Sequence, residues 1–168
     1  MLTFIAVLTL LGGFGLLIAL SIVDLRVRLL PNEMVLGFLT CGVVFHLTTM
    51  FRFMPPEQMA LGCVVGFGAM YLIRALANWY YKQDAMGLGD VKLLGAAGAW
   101  LGIEGVFLAI MLGALGGVVH GLIAALHDSR ETGLPFSVKG VTVPAGPGFC
   151  FGIAVTLIWQ FHELAPVF

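Results

Sequence analysis

Met86-Gly87-Leu88-Gly89-Asp90-Val91-Lys92 sets a carboxylate between a glycine-loosened segment and an apolar run, Leu93 to Leu101. Charge is scarce in this chain. Charged residues make up 10% and hydrophobic ones 60%, with a mean hydropathy of +1.05. An ionisable group in such surroundings is costly to desolvate and therefore marks a functional candidate. Asp24 occupies a matching position, where it ends the first long apolar run. Two such aspartates suggest an acid/base pair working at a membrane.

A soluble domain of 168 residues needs a polar surface, and this composition does not supply one. Apolar runs recur along the whole chain, which predicts one all-α, polytopic integral-membrane domain over residues 1–168. Six helices are expected, at about Leu2–Val23, Pro31–Met50, Glu57–Tyr81, Gly89–Trp100, Glu104–His127 and Gly146–Phe161. The fourth is too short to span a bilayer core, for which about 20 residues are needed. Non-helical backbone at membrane depth survives only within protein or beside water, so the loop carrying Asp90 should border a wet cavity. Trp79, Tyr80 and Tyr81 form an aromatic anchor at an interface.

The net charge of −1 offers no argument for nucleic acid. Residues 1–23 lack a leading Lys or Arg and a small-x-small cleavage site, so they read as a retained helix and not a signal peptide. Arg26 and Arg28 lie in the first link, Arg74, Lys82 and Lys92 in or near the third, and Arg130 and Lys139 in the fifth. Only Arg52 lies in the second, and the fourth has none. This asymmetry predicts cytoplasmic first, third and fifth links, with both termini on the non-cytoplasmic side. Asp24 and Asp90 then share the cytoplasmic face.

Two carboxylates held close cannot both ionise easily, so they share a proton. Such a pair can activate a water and protonate a departing amine. Gly87 and Gly89 are expected to allow positive φ and close approach of another chain. Lys92 should reach phosphate headgroups or another acid, since two positions along a helix do not share a face with Asp90. Arg26 and Arg28 should meet headgroups too, and Glu33 and Asp84 read as solvated link acids. Cys41, Cys63 and Cys150 lack Cys-x-x-Cys spacing and read as buried small hydrophobes. The four histidines show no metal-ligand pattern with carboxylates and read as packing residues. Gly113, Gly116, Gly117 and Gly121 should line a close helix–helix contact within the molecule.

These residues resemble the type IV prepilin peptidase family, the Gly-x-Gly-Asp aspartic proteases of membranes. Met86 to Gly102, MGLGDVKLLGAAGAWLG, looks like the family's second catalytic segment, and Asp24 to Asn32, DLRVRLLPN, like its first. Val143-Pro144-Ala145-Gly146-Pro147-Gly148 is similar to the opening of its last helix. The resemblance implies an endopeptidase that removes the short basic leader from prepilins and pseudopilins after a glycine, at the cytoplasmic face of the bacterial inner membrane. Asp24 and Asp90 would be the catalytic pair, with no metal or cofactor. Gly87, Gly89, Lys92, Pro31 and Asn32 are candidate supporting residues and substrate contacts. The larger members carry an N-terminal extension with paired Cys-x-x-Cys motifs and also N-methylate the new terminus. This chain opens with helix one, so the likeness is to the compact peptidase-only form of tight-adherence (Flp-type) pilus systems, and methyl transfer is not carried over. Prepilins and the lipid bilayer are the expected partners, and oligomeric state is left open. The competing reading is a non-enzymatic small transporter or assembly subunit. Acids clustered at one face, not spread through the membrane depth, speak against it.

Overall fold

The computed structural model describes residues 2–82, 84, 86–132 and 145–162. Long apolar stretches separated by proline- and charge-bearing links form five helices: α1 (Leu2–Val27), α2 (Asn32–Thr48), α3 (Pro56–Tyr81), α4 (Leu88–Thr132) and α5 (Gly146–Phe161). Prolines set two of the starts. Pro31 is the extended residue before α2, and Pro55 plays that part for α3, with Pro56 in the first turn. There the missing N–H has no intrahelical acceptor to lose.

The predicted first helix ends too early. Asp24 lies inside the last turn of α1, not in the link. Arg28 turns left-handed at φ 54, and its N–H donates to the Asp24 carbonyl at 2.9 Å, which closes the helix there. The predicted fourth and fifth helices also differ from expectation. They are two arms of one element, joined at Gly102, whose φ of 66 and ψ of −167 break the helical backbone. The second arm runs on to Thr132, past the His127 expected from the sequence. The rest of the fifth link, with Lys139, Val143 and Pro144, lies outside the described residues.

The break at Gly102 reverses the chain. A Cβ placed on Gly66 of α3 would touch both the Leu94 carbonyl and Val106 Cγ1. A straight helix would hold residues 94 and 106 about 18 Å apart. The first arm thus runs antiparallel to α3, and the second returns along it. Along the second arm, Gly105 neighbours Gln160 and Gly113 neighbours Phe149, so α5 is antiparallel to it. Gly113 and Gly116 face α5 directly, and Gly117 backbone meets Gly148, as expected for these three of the four glycines.

The first arm is the centre of the bundle. Val91, Leu93, Leu94 and every residue from Gly95 to Gly102 are buried. A helix that is apolar all round is stable only when enclosed. Glycine makes the enclosure tight. A Cβ on Gly98 would overlap the backbone of Gly62, and one on Gly62 would lie 2.5 Å from the Gly98 carbonyl oxygen. Trp100 fills the opposite side. Its indole meets Gly13 of α1 and Gly42 of α2 where a Cβ would collide, and its Nε1–H donates to the Phe38 carbonyl at 2.8 Å. The fully buried His46, read as a packing residue, lies against Phe45 and Phe161.

The outside is the reverse of a soluble surface. Leu8, Ile18, Val64, Leu115 and many other large apolar side chains are exposed around the bundle. Residues 2–27, 56–81 and 88–127 are long and apolar enough to cross a membrane, whereas α2 and α5 are shorter apolar helices. The chain is a membrane protein. About six transmembrane helices were expected, the fourth short. Among the described residues three elements reach crossing length, while α2 and α5 hold 17 and 16 residues and α4 is divided into two arms at Gly102.

Gly98→Ala tests the backbone contact. It should lower stability by about 1–3 kcal/mol through overpacking. Gly68→Ala, with nothing within 4 Å of the new methyl, should be neutral or mildly stabilising. Thermal unfolding in detergent reads the difference, and equal melting temperatures would mean that α3 and α4 can separate at little cost.

Candidate active site

The last turn of α1, the first turn of α4 and the first residue of α5 meet at one end of the bundle. Asp24 and Asp90, 66 positions apart in sequence, line a single cavity of about 500 Å³ there. Each is only 6% exposed. Arg28, Asn32, Asp84, Gly87, Gly89 and Lys92 also border this cavity. The predicted pair and most of its predicted neighbours are therefore brought together. Pro31 is not a lining residue; its part is the start of α2.

The two carboxylates are held differently. The Gly146 N–H donates to Asp24 Oδ2 at 3.1 Å. This amide is at the N-terminus of α5, where unpaired N–H groups and the helix dipole favour an anion. Gly146 has to be glycine, since a Cβ would sit 2.5 Å from that oxygen. Asp90 lies in the first turn of α4, and its Oδ1 is buried with no hydrogen-bond partner among the described residues. A buried carboxylate oxygen without a protein donor is available to a water or a polar substrate group.

One expectation for the supporting residues is corrected. Gly87 and Gly89 do not adopt positive φ; among the described glycines that conformation belongs to Gly102. Gly89 is in the first turn of α4, and what its missing side chain provides is room: a Cβ would lie 2.8 Å from Leu30 Cβ. The first and third links can therefore touch. Lys92, expected to meet a headgroup or another acid, has a partner on α2. Its Nζ donates to Asn32 Oδ1 at 2.9 Å, which ties α4 to the start of α2. Asp84, read as a solvated acid, is exposed but engaged. It accepts from Arg74 at 3.1 Å and from Asn78 Nδ2 at 3.0 Å.

Arg74 is the residue that sequence reasoning missed. Its Nε–H donates to the Met86 carbonyl at 2.9 Å, so one guanidinium holds both ends of the segment leading to Asp90. The signal available was its place in an apolar helix, where an arginine calls for a partner. The Asp84 arm is too exposed to contribute much, so the Met86 carbonyl is the important contact. Arg74→Leu should lower stability by about 1.5–3 kcal/mol and speed tryptic cleavage after Lys82. An unchanged digestion rate would mean that the link is held by something other than Arg74.

Comparison with known proteins gives the family. The model of the Type IV leader peptidase family matches residues 11–122. A prepilin leader peptidase/N-methyltransferase of Xanthomonas campestris pv. campestris is 32% identical over 153 residues, 88% of this chain and 50% of that protein. The proteins of the same name from Dickeya chrysanthemi and Escherichia coli K12 are 37% and 27% identical, over 69% and 86% of this chain and 41% and 60% of their own lengths. The chain thus spans about half the length of the curated relatives it matches. No solved structure matches it significantly. With the family match reaching from α1 through most of α4 and taking in both aspartates, the chain belongs to the type IV leader peptidase family.

Proposed function

We propose that this chain is a membrane-embedded aspartic endopeptidase that removes the short basic leader from type IV prepilins or pseudopilins, cutting after a glycine. The observation that carries the reading is the meeting of Asp24 and Asp90 in one cavity of a chain that belongs to this family. The relatives are named for leader cleavage and for N-methyl transfer; the proposal takes up the first activity alone. The cavity lies at the cytoplasmic face of the bacterial inner membrane, as the distribution of Lys and Arg implies.

In this mechanism the pair carries one proton. The ionised carboxylate takes a proton from a water positioned between the two groups. That water attacks the carbonyl carbon of the scissile bond. The protonated carboxyl supports the carbonyl oxygen as charge develops there. A proton then passes to the departing amine, and the pair returns to its starting state. Gly146 N–H keeps Asp24 oriented throughout. Burial at 6% exposure limits competition from bulk water, so that each electrostatic contact counts for more.

Incubation of the purified protein with a prepilin, read by mass spectrometry, tests the assignment. Asp24→Asn and Asp90→Asn should each lower the rate by about 10²–10⁴-fold or more, the range for losing a general acid or base. Full activity of either variant, shown to be folded, would remove that aspartate from the mechanism.

The shared proton also fixes the shape of the pH profile. Activity should fall at low pH, as the ionised member takes up a proton, and fall again at higher pH, as the shared proton leaves. A rate of cleavage that stays flat across the acidic range would exclude a carboxylate pair.

A further inference from the structure

Beside the acid cavity runs a second space of opposite character. It is an open apolar groove of about 610 Å³ between α2 and α3, floored by the first arm of α4. Val35, Leu36 and Leu39 form one wall, Val64 and Phe67 the other, and Ala96 lies in the floor. α2 and α3 do not pack against each other, so the groove opens sideways, along the flank where Leu36 and Val64 are 61% and 69% exposed. It follows α2 from Asn32 to Leu39, about 10 Å at the helical rise.

The groove and the cavity share two residues, Asn32 and Lys92. These are the two that bond to each other at 2.9 Å. A ligand lying in both spaces must pass this pair. It would have an apolar stretch in the groove and a polar stretch beside the carboxylates. Two kinds of molecule have that form beside a bilayer: a lipid, and a polypeptide with adjoining apolar and polar segments. The charges separate them. The cavity carries Asp24, Asp84 and Asp90 against Arg28 and Lys92, and Asp84 already binds Arg74. An anionic headgroup would enter beside two buried carboxylates, whereas a neutral or basic peptide segment meets no such repulsion.

We propose that the groove between α2 and α3 seats an apolar segment of the substrate polypeptide, next to the bond held at Asp24 and Asp90, with Asn32 and Lys92 marking the boundary between the two subsites. This rests on the peptidase reading above and adds where the substrate enters, sideways between α2 and α3. Val64 and Phe67 then act on recognition and not on the chemical step. Uniform binding of this kind changes KM and leaves kcat alone.

Val64→Trp, which places an indole in the groove, should raise KM for a prepilin about tenfold, as expected when one apolar substrate side chain is denied burial. Its kcat should stay within about twofold of the wild type. Leu8→Trp, at an exposed position of α1 that borders none of these spaces, should leave both constants unchanged. A second measurement uses the native Cys63 on the groove wall. Under mild oxidation with the Asp90→Asn variant, it should form a disulfide with a single cysteine placed in the apolar stretch of the substrate. Lack of cleavage by the wild type would overturn the peptidase reading and this one together. Cleavage by the wild type, with Val64→Trp behaving like Leu8→Trp and no disulfide at Cys63, would overturn the groove assignment alone and leave the groove to lipid.

Discussion

The close burial of residues 93–102 is the constraint on which the rest of the structure depends. An apolar helix can be surrounded only if its neighbours come close, and here they come to backbone contact. Gly98 meets Gly62 with no side chain between them, and Gly95 lies under Phe67. On the other side, Trp100 sits where Gly13 and Gly42 leave space and gives its one polar hydrogen to Phe38. Small residues bring helices together in a bilayer because lipid offers no hydrophobic drive for helix association; close van der Waals contact has to supply it. The reversal at Gly102 then lets the second arm return beside the first. One carboxylate, Asp90, is carried at the head of this enclosed helix.

Position alone would leave Asp90 as an expensive buried acid. What gives it chemical meaning is Asp24, delivered to the same cavity by the last turn of α1 and held by the first amide of α5. The three elements at this end contribute different things. α1 supplies a carboxylate, α4 supplies the other, and α5 supplies the donor that orients one and not the other. Gly89 lets Leu30 close the gap between the links, and Arg74 fixes the segment ahead of Asp90 through Met86. On the proposed reading, the asymmetry suits an acid/base pair, because the two carboxylates begin from unlike surroundings.

Much of this was legible in the sequence where the signal is local. Pro31 announces a helix start through its fixed φ and missing N–H, and α5 has the bounds that its apolar run predicts. The two aspartates stand out because charge is rare among apolar runs. What sequence could not carry are contacts between distant segments. The Gly146–Asp24 bond joins residues 122 apart, and Lys92 finds Asn32 across 60. Arg74 was counted as a topological charge, although its place within an apolar helix implied a buried task. Gly87 and Gly89 were credited with conformational freedom that Gly102 uses instead. A glycine pattern alone does not distinguish a backbone that must bend from one that must be approached.

The small residues of the central arm serve two ends at once. Where a helix faces them, as α3 does at Gly98, they give contact. Where α2 and α3 stay apart, Gly95 and Ala96 leave the floor of a groove. A longer side chain at Ala96 would fill that space, and one at Gly95 would press on Phe67, so the groove is a consequence of the same sequence feature that permits the packing. Its polar end is bounded by Lys92, whose aliphatic stem suits the apolar side and whose ammonium suits the cavity. The polar cavity and the apolar groove thus meet at Asn32 and Lys92. On the proposed reading, a peptide bond cut beside a bilayer needs that division, because the attacking water must be near the bond while the adjoining apolar chain stays out of water.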